Sequence, residues 1–320
     1  MSKHILVLGS GVSGLSTGIL LLKEGFSVHI WAKDLPPNTT SNIAAAFWYP
    51  YLCNPRDKAT KWSGFTLKYL KQNALSDSDS GCIKRTVTEL FEEKVDEPWW
   101  RDAVENYRRP TKDELPEGYV DGYQTEAILM DTSMYVSWLV EQYKQLGGTV
   151  EQKEITDINE AFEDHDTVIN CTGLGSRTLF NDDKVYPVRG QVVLVKPNGF
   201  EQVMADDEGR NSMAVIIPRI NDIVLGGTVQ ANNWSLEVDP KDTDDILRKA
   251  KAISPIFNNV EVIEAKVGLR PARDEVRLEA EQFGDKTVIH NYGHGGAGFT
   301  LSWGCANDVV ELVRVAAVNG

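Results

Sequence analysis

The feature that most constrains this chain is a short apolar run, Ile5-Leu6-Val7-Leu8, that passes without a spacer into Gly9-Ser10-Gly11-Val12-Ser13-Gly14. A buried-type strand followed at once by G-x-G-x-x-G, then by apolar residues at helical spacing (Leu15, Ile19, Leu20, Leu22), predicts a strand, a tight turn and a helix. Residues 26–31 read as a second strand, which completes a βαβ unit at the start of the chain. Each glycine has a task there. Gly9 permits the tight turn, Gly11 lets a pyrophosphate approach the backbone, and Gly14 lets helix and strand pack closely. Open N–H groups and the positive end of the helix dipole favour phosphate, so the turn predicts a dinucleotide site. An acidic residue usually closes the second strand to hold the ribose, and here Asp34 and the Lys33 backbone are the candidates.

More of the same fold follows later. Residues 135–146 read as a helix ended by Gly147-Gly148, residues 149–153 as a strand, and residues 167–173 as a buried strand running into another glycine turn. Near the end, residues 287–291 form a strand, a glycine cluster follows, and a helix is expected from about Thr300 to Ala317 with Ala306, Val309, Val310 and Val313 on one face. Between these lie residues 76–129, polar and interrupted by Pro98, Pro110 and Pro116, and residues 186–264, with strand-like runs at 190–195, 215–217 and 223–229. The expected architecture is α/β: a Rossmann-like nucleotide domain assembled from residues 1–75, 130–185 and 265–320, and a second, α+β substrate domain on a mostly antiparallel sheet from residues 76–129 and 186–264.

Composition narrows the partners. With 33 basic and 47 acidic residues the formal net charge is −14, a field that repels nucleic-acid backbones and anionic membrane surfaces, so neither is an expected partner. No apolar stretch approaches the roughly 20 residues a spanning helix needs; the run from Leu15 to Leu22 is broken by Ser16, Thr17 and Gly18. Lys3 and the apolar residues after it outline a signal peptide, but they read as a strand entering a glycine turn, and a cytoplasmic protein is expected. Cys53, Cys82, Cys171 and Cys305 lie far apart with no C-x-x-C pair and read as free thiols. Among His4, His29, His165, His290 and His294 no metal spacing occurs, since glycines around the last two argue against a helix presenting both. Residues 76–81 outline a calcium loop, but the glycine comes one position early and Thr88 stands where the closing glutamate belongs, so a solvated loop is expected.

Three further segments carry the chemistry: Tyr186-Pro187-Val188-Arg189-Gly190-Gln191, Val267-Gly268-Leu269-Arg270-Pro271-Ala272-Arg273, and the glycine-rich stretch 289–298 continued through Trp303-Gly304-Cys305-Ala306. Together with the N-terminal turn, and in the same order, they resemble the D-amino-acid oxidase family of flavoproteins. The resemblance implies non-covalently held FAD and oxidative deamination of a D-amino acid by hydride transfer from Cα to flavin N5. The imino acid would hydrolyse to the 2-oxo acid and ammonia, and O2 would reoxidise the flavin, giving hydrogen peroxide. By position, Gly9, Ser10, Gly11, Val12, Ser13 and Gly14 would hold the pyrophosphate and Lys33 and Asp34 the adenosine end. Thr39, Thr40, Ser41, Ala45, Ala46 and Phe47 would lie on the flavin side, with Ile155 and Thr172 near the adenine and the pyrophosphate. Gly295, Gly296, Ala297, Gly298, Phe299 and Thr300 would wrap the isoalloxazine. A helix beginning near Thr300 would point its positive end at the flavin N1/C2 carbonyl, where negative charge collects on reduction.

Arg270 matches the family arginine that pairs with the substrate α-carboxylate; its two parallel N–H donors fit a carboxylate bidentately. Orientation of that kind supplies much of the rate in a reaction that needs no side-chain base. The Gly296 carbonyl would accept a hydrogen bond from the substrate amine, while Arg273 and Arg277 read as structural. The chain departs from its relatives at Val215, where a carboxylate-binding tyrosine is common, and at Asn211, the nearest upstream lid position. Val229 replaces a tyrosine of some microbial members and an arginine of the D-aspartate specialists, which points away from dicarboxylate substrates. Rings are concentrated instead in Phe47-Trp48-Tyr49-Pro50-Tyr51, so Tyr49 or Tyr51 is expected to supply the lost hydroxyl or narrow the pocket, with core packing as the alternative. A neutral, apolar D-amino acid and O2 are the expected small-molecule partners, and a homodimer is one assembly open to the chain. The alternatives are an FAD oxidase of glycine, sarcosine or another specialised amine acid, or a flavin-binding protein with little turnover. A nicotinamide dehydrogenase is disfavoured because it would not need the C-terminal glycine cluster. The sequence closes on Val318-Asn319-Gly320, which is not a peroxisomal tripeptide.

Overall fold

The computed structural model describes residues 4–49, 53–98, 100–101, 104 and 106–319. In chain order the strands are β1 (His4–Leu8), β2 (Ser27–Ala32), β3 (Ala46–Phe47), β4 (Cys82–Phe91), β5 (Asp121–Met130), β6 (Thr149–Gln152) and β7 (Thr167–Asn170). They continue with β8 (Tyr186–Val195), β9 (Val203–Asp206), β10 (Ala214–Pro218), β11 (Ile223–Gly226), β12 (Gln230–Ala231), β13 (Val262–Phe283) and β14 (Lys286–His294). All 14 belong to one mixed sheet, ordered β3-β5-β4-β9-β10-β11-β8-β13-β14-β7-β1-β2-β6, with β12 added to β8. From β14 to β6 every pairing is parallel. From β3 to β14 the pairings are antiparallel apart from β4 with β9.

The parallel half follows from the first thirty residues. Helix α1 (Val12–Lys23) buries Leu15, Ile19 and Leu21 against the sheet, and a helix that covers a sheet face returns the chain to a parallel neighbour. The helix Gly298–Asn319 lies beside it, with Trp303 fully buried, stacked on Tyr69 at 3.6 Å and donating from Nε1 to the Tyr135 hydroxyl at 2.8 Å. In the antiparallel half, Val193, Val195, Ile216 and Leu225 meet Ile246 and Ile253 of the helix Pro240–Ile253 in a core of their own.

Local details differ from the sequence reading. Residues 76–129 contain two ten-residue strands, β4 and β5, paired along their length; Pro98, Pro110 and Pro116 all fall in the connection between them. The run 223–229 pairs only as far as Gly226. The last helix starts at Gly298, led in by a 3-10 turn over Gly295–Ala297. Strand β3 sits in the antiparallel half although it precedes residue 75, and β13 runs through residues 264 and 265 without a break. In the acidic loop, Asp77 accepts the Asp79 N–H at 3.0 Å and Trp138 Nε1 at 2.9 Å, so both its oxygens are used by the chain. Among the described residues no group of His, Cys, Asp and Glu could hold a metal ion, and no helix is long and apolar enough to cross a membrane.

Candidate active site

Two helix N-termini and one strand converge. The first N-terminus belongs to α1. Gly9 has φ 108°, and a Cβ there would lie 2.5 Å from the Cys171 carbonyl oxygen; at Gly14 a Cβ would lie 1.9 Å from the Gly9 carbonyl oxygen. The turn therefore runs with bare backbone between β1 and the end of β7. Gly11 caps α1 without a side chain, and the first turn carries no acidic residue. Ser41 Oγ accepts the Val12 N–H at 3.0 Å, and the buried Ser10 hydroxyl donates to the Asp34 carbonyl at 2.8 Å. A positively polarised helix end approached by a turn of bare backbone fits a pyrophosphate. Thr172 closes the cradle, its hydroxyl donating to Asn170 Oδ1 at 2.7 Å.

The second N-terminus lies beside the first. A Cβ on Gly298 would be 4.0 Å from Val12 Cγ1, and the Ser16 hydroxyl reaches the Ser302 carbonyl at 3.4 Å. Gly295 takes φ 55° in the turn before the helix. Ala297, Phe299 and Thr300 are buried, whereas Gly296 is exposed and leaves its backbone accessible. His294, just before the turn, is buried, lies 3.1 Å from Asn291 Oδ1, and is pushed down to about 4 by burial, so it is uncharged at neutral pH.

Strand β13 supplies the third element. A Cβ on Gly268 would be 3.2 Å from Ile43, so the helical turn Thr40–Ile43 rests on the strand, and a Cβ on Gly173 would be 3.4 Å from Pro271. Arg270 lies between these contacts, partly buried, with Nη1 donating to the Thr228 carbonyl at 3.1 Å. Two residues on, Ala272 is paired with His294, which places Arg270 beside the strand end that leads into Gly295. Arg273 is bound instead to Asp182 at 3.0 Å, and Arg277 to Glu279 at 2.7 Å and Glu281 at 2.8 Å.

The remaining sequence candidates fall around this centre. Thr39 is buried, its hydroxyl donating to Asn42 Oδ1 at 2.7 Å, while Thr40 is exposed. Ala45, Phe47, Tyr49 and Val215 pack against one apolar cluster, and Ala46 is buried in β3. Ile155 packs on the cluster of Leu6, Leu8 and Trp31. Lys33 and Asp34 are exposed; the Lys33 ammonium is paired with Glu154 at 2.8 Å, and its carbonyl accepts Gln152 Nε2 at 3.0 Å. Asn211 is buried and donates to the Tyr119 hydroxyl at 3.0 Å. Val229 is 49% exposed and so contributes little to a closed wall. Tyr51 lies outside the described residues.

Two groups were not legible in the sequence. One is the Thr228 carbonyl, a backbone acceptor with no side-chain signature. The other is Glu89, whose Oε2 accepts the Tyr49 hydroxyl at 2.5 Å. Burial, assisted by Asp207 and Glu208, pushes the Glu89 carboxyl up to about 7 although the Tyr49 hydrogen bond pulls it down. Burial also raises the Tyr49 phenol, which stays protonated as the donor.

A family model described as FAD dependent oxidoreductase matches residues 4–312. The chain belongs to this family. It is 52% identical over 318 residues to a D-amino-acid oxidase of Dictyostelium discoideum, covering 97% of this chain and 91% of that one. It is 40% identical over 311 residues to a D-amino-acid oxidase of Rubrobacter xylanophilus, covering 97% and 95%. A glycine oxidase structure from Bacillus cereus superposes with a TM-score of 0.84 at 18% identity over 98% of this chain and 95% of that one, which shows the shared fold. As a member of the FAD dependent oxidoreductase family the protein uses FAD, and the convergent glycine turns fit it.

Gly11→Val introduces a branched side chain at a position where even a Cβ would come within 3.0 Å of Ser41 Oγ. The expected outcome is a collapse of flavin occupancy in the purified protein, read as the ratio of visible to protein absorbance, and retained occupancy would refute the pyrophosphate assignment. Glu89 supplies a pH prediction. A carboxyl raised from 4.5 to about 7 binds its proton more tightly in the folded state than in the unfolded chain, so stability falls as pH rises through that window and the loss is complete above it. Glu89→Gln keeps an acceptor for Tyr49 and removes the charge, so melting temperatures at pH 5 and pH 8 should lie closer together than in the parent; an unchanged gap would show that Glu89 titrates normally.

Proposed function

We propose that this chain is an FAD-dependent D-amino-acid oxidase, with residues 1–75, 130–185 and 265–320 as its FAD-binding part and residues 76–129 and 186–264 as its substrate-binding part. The carrying observation is Arg270, held on β13 between the Thr40–Ile43 turn and the strand end that leads into Gly295. When bound, FAD would supply the two-electron oxidising chemistry, with O2 as final oxidant, so that the products would be hydrogen peroxide and an imino acid that hydrolyses to the 2-oxo acid and ammonia. Arg270 clamps the α-carboxylate through two parallel N–H donors. The exposed Gly296 carbonyl accepts a hydrogen bond from the amine. With those two groups fixed and the side chain directed at the wall of Phe47 and Val215, only one enantiomer presents its Cα–H to the cofactor.

The same wall favours neutral side chains. Val215 offers no cation, and Glu89, in register with Ala205 opposite Val215, is a carboxyl that supplies no positive partner either. A second substrate carboxylate buried there would cost several kcal/mol. All four cysteines are free thiols, in keeping with a reducing, cytoplasmic setting. The D-amino acid and O2 are its small-molecule partners.

Oxygen-electrode and peroxide assays should show D-alanine, D-valine and D-methionine consumed, their L-isomers left untouched, and D-aspartate and D-glutamate oxidised more slowly. Turnover highest on D-aspartate would overturn the side-chain assignment, and turnover of the L-isomers would overturn the handedness. Arg270→Lys should lower kcat/KM by about two decades, because a point charge cannot hold both oxygens in plane, and Arg270→Ala by more, with the flavin spectrum intact. Arg273→Ala is the control, since its partner is Asp182; a larger catalytic loss there than at Arg270 would relocate the anchor.

A further inference from the structure

The triplet Arg189-Gly190-Gln191 has no role so far, yet it lies on β8 directly against the part of β13 that carries Arg270. Gly190 is paired with Gly268 and Val188 with Arg270. Side chains alternate along a strand, so Gly190 faces the site while Arg189 and Gln191 face the other way. A Cβ on Gly190 would stand 2.2 Å from Arg270 Nη1, 2.6 Å from Cζ and 2.7 Å from Nη2, so the guanidinium occupies the space that the missing side chain leaves. The Gln191 backbone N–H donates to Thr228 Oγ1 at 2.9 Å, and the carbonyl of that same threonine accepts Arg270 Nη1 at 3.1 Å.

The opposite face secures the segment that follows Thr228. Arg189, its side chain 3% exposed, donates from Nε to the Ser235 carbonyl at 3.1 Å and from Nη1 to Gln230 Oε1 at 3.0 Å and Asp242 Oδ2 at 2.9 Å. From Nη2 it donates to Gln191 Oε1 at 2.9 Å and the Glu237 carbonyl at 2.6 Å. Five N–H donors thus meet five acceptors. Gln191 donates to the Asp239 carbonyl at 2.8 Å and Thr243 Oγ1 at 2.9 Å, and accepts the Asp239 N–H at 2.8 Å. Thr228 is held at one end by Gln191 and followed by a segment sewn to β8, so its carbonyl has little freedom to move.

We propose that Arg189-Gly190-Gln191 is a positioning device for the substrate anchor: Gly190 provides the slot in which the Arg270 guanidinium lies, and Gln191 with Arg189 fixes the Thr228 carbonyl that sets its direction. This rests on Arg270 binding the substrate carboxylate. A displaced guanidinium weakens capture of the carboxylate without disturbing the glycine turns that fit FAD. A residue that merely supported the fold would change melting temperature and flavin content together with activity.

The test compares Gly190→Ala, Thr228→Val, Arg270→Ala and the double variant Gly190→Ala/Arg270→Ala as holoenzymes. The readouts are D-alanine kinetics, spectrophotometric titration of the flavin with benzoate as a simple monocarboxylate, and melting temperature. Gly190→Ala should raise both KM and the benzoate Kd at least about tenfold with flavin content and melting temperature near those of the parent, because the group displaced is the far end of a flexible side chain. Thr228→Val, which loses only the Oγ1 acceptor, should raise them about threefold, and it decides the matter if Gly190→Ala fails to hold FAD. The double variant should be no worse than Arg270→Ala alone, since both changes act through one group. Unchanged KM and benzoate affinity in Gly190→Ala, or losses that add fully in the double variant, would overturn the proposal while leaving the anchor intact. Benzoate affinity unaffected by Arg270→Ala would overturn the anchor reading and this one with it.

Discussion

Strand β13 is the constraint on which the rest of the molecule depends. Its first half forms a ladder with β8, its second half with β14, and the register breaks between Ala272 and Arg277. β8 belongs to the antiparallel half and β14 borders the parallel one, so a single uninterrupted strand of 22 residues fixes each half relative to the other. Arg270 sits just before the changeover. Because strand side chains alternate, a one-residue slip against β8 would turn Arg270 to the opposite face and bring the Gly190 slot against Leu269. The ladder that holds the sheet together is thus also what aims Arg270, the proposed anchor.

The site that fits the cofactor is built from backbone in a protein whose net charge is −14. A dinucleotide carries negative charge into that field, and lysines would be the obvious remedy. Lys33, the cation nearest the end of β2, is exposed and engaged with Glu154. The local attraction comes from two helix N-termini set side by side by the parallel packing of α1 against the C-terminal helix, with Val12 close to Gly298 and Ser16 close to Ser302. Peptide dipoles need no counter-ion and no desolvation of a charged side chain, so they keep their sign within a few ångströms whatever the outer surface carries. Glycine is needed at Gly9 and Gly14 because there backbone presses on backbone.

How much of this could be read in the sequence depends on range. The βαβ opening was legible because strand, turn and helix are adjacent and each glycine does a local job. The glycine turn at residues 295–298 was legible for the same reason, to within two residues of the helix start. β4 and β5 were not. Their sequences place Lys84, Arg85, Thr86 and Thr88, or Gln124, Thr125 and Glu126, inside strands, and Thr88, Gln124 and Thr125 are buried; Gln124 Nε2 is satisfied by the Thr88 hydroxyl at 3.0 Å across the pair. Such a pairing has no apolar alternation to betray it. The Tyr49–Glu89 and Arg270–Thr228 bonds were invisible because each joins residues some forty positions apart through a register only the fold defines.

The Arg270–Thr228 bond orients the guanidinium through a backbone group, which differs in kind from orientation by a carboxylate. A carboxylate partner orients a guanidinium by neutralising it, as Asp242 does in part for Arg189. A substrate carboxylate would then have to compete with a resident one already in place. A carbonyl supplies direction through a dipole and adds no counter-charge of its own. That direction serves the role proposed for Arg270 provided the carbonyl itself does not move. That proviso is a demand on the scaffold, and the sheet meets it from the reverse face: the Gln191 N–H holds Thr228, and the saturated Arg189 guanidinium holds the segment behind it. If Arg270 holds the substrate as proposed, selectivity for a carboxylate next to a chiral carbon is in this sense a property of the β8–β13 ladder as much as of Arg270 itself.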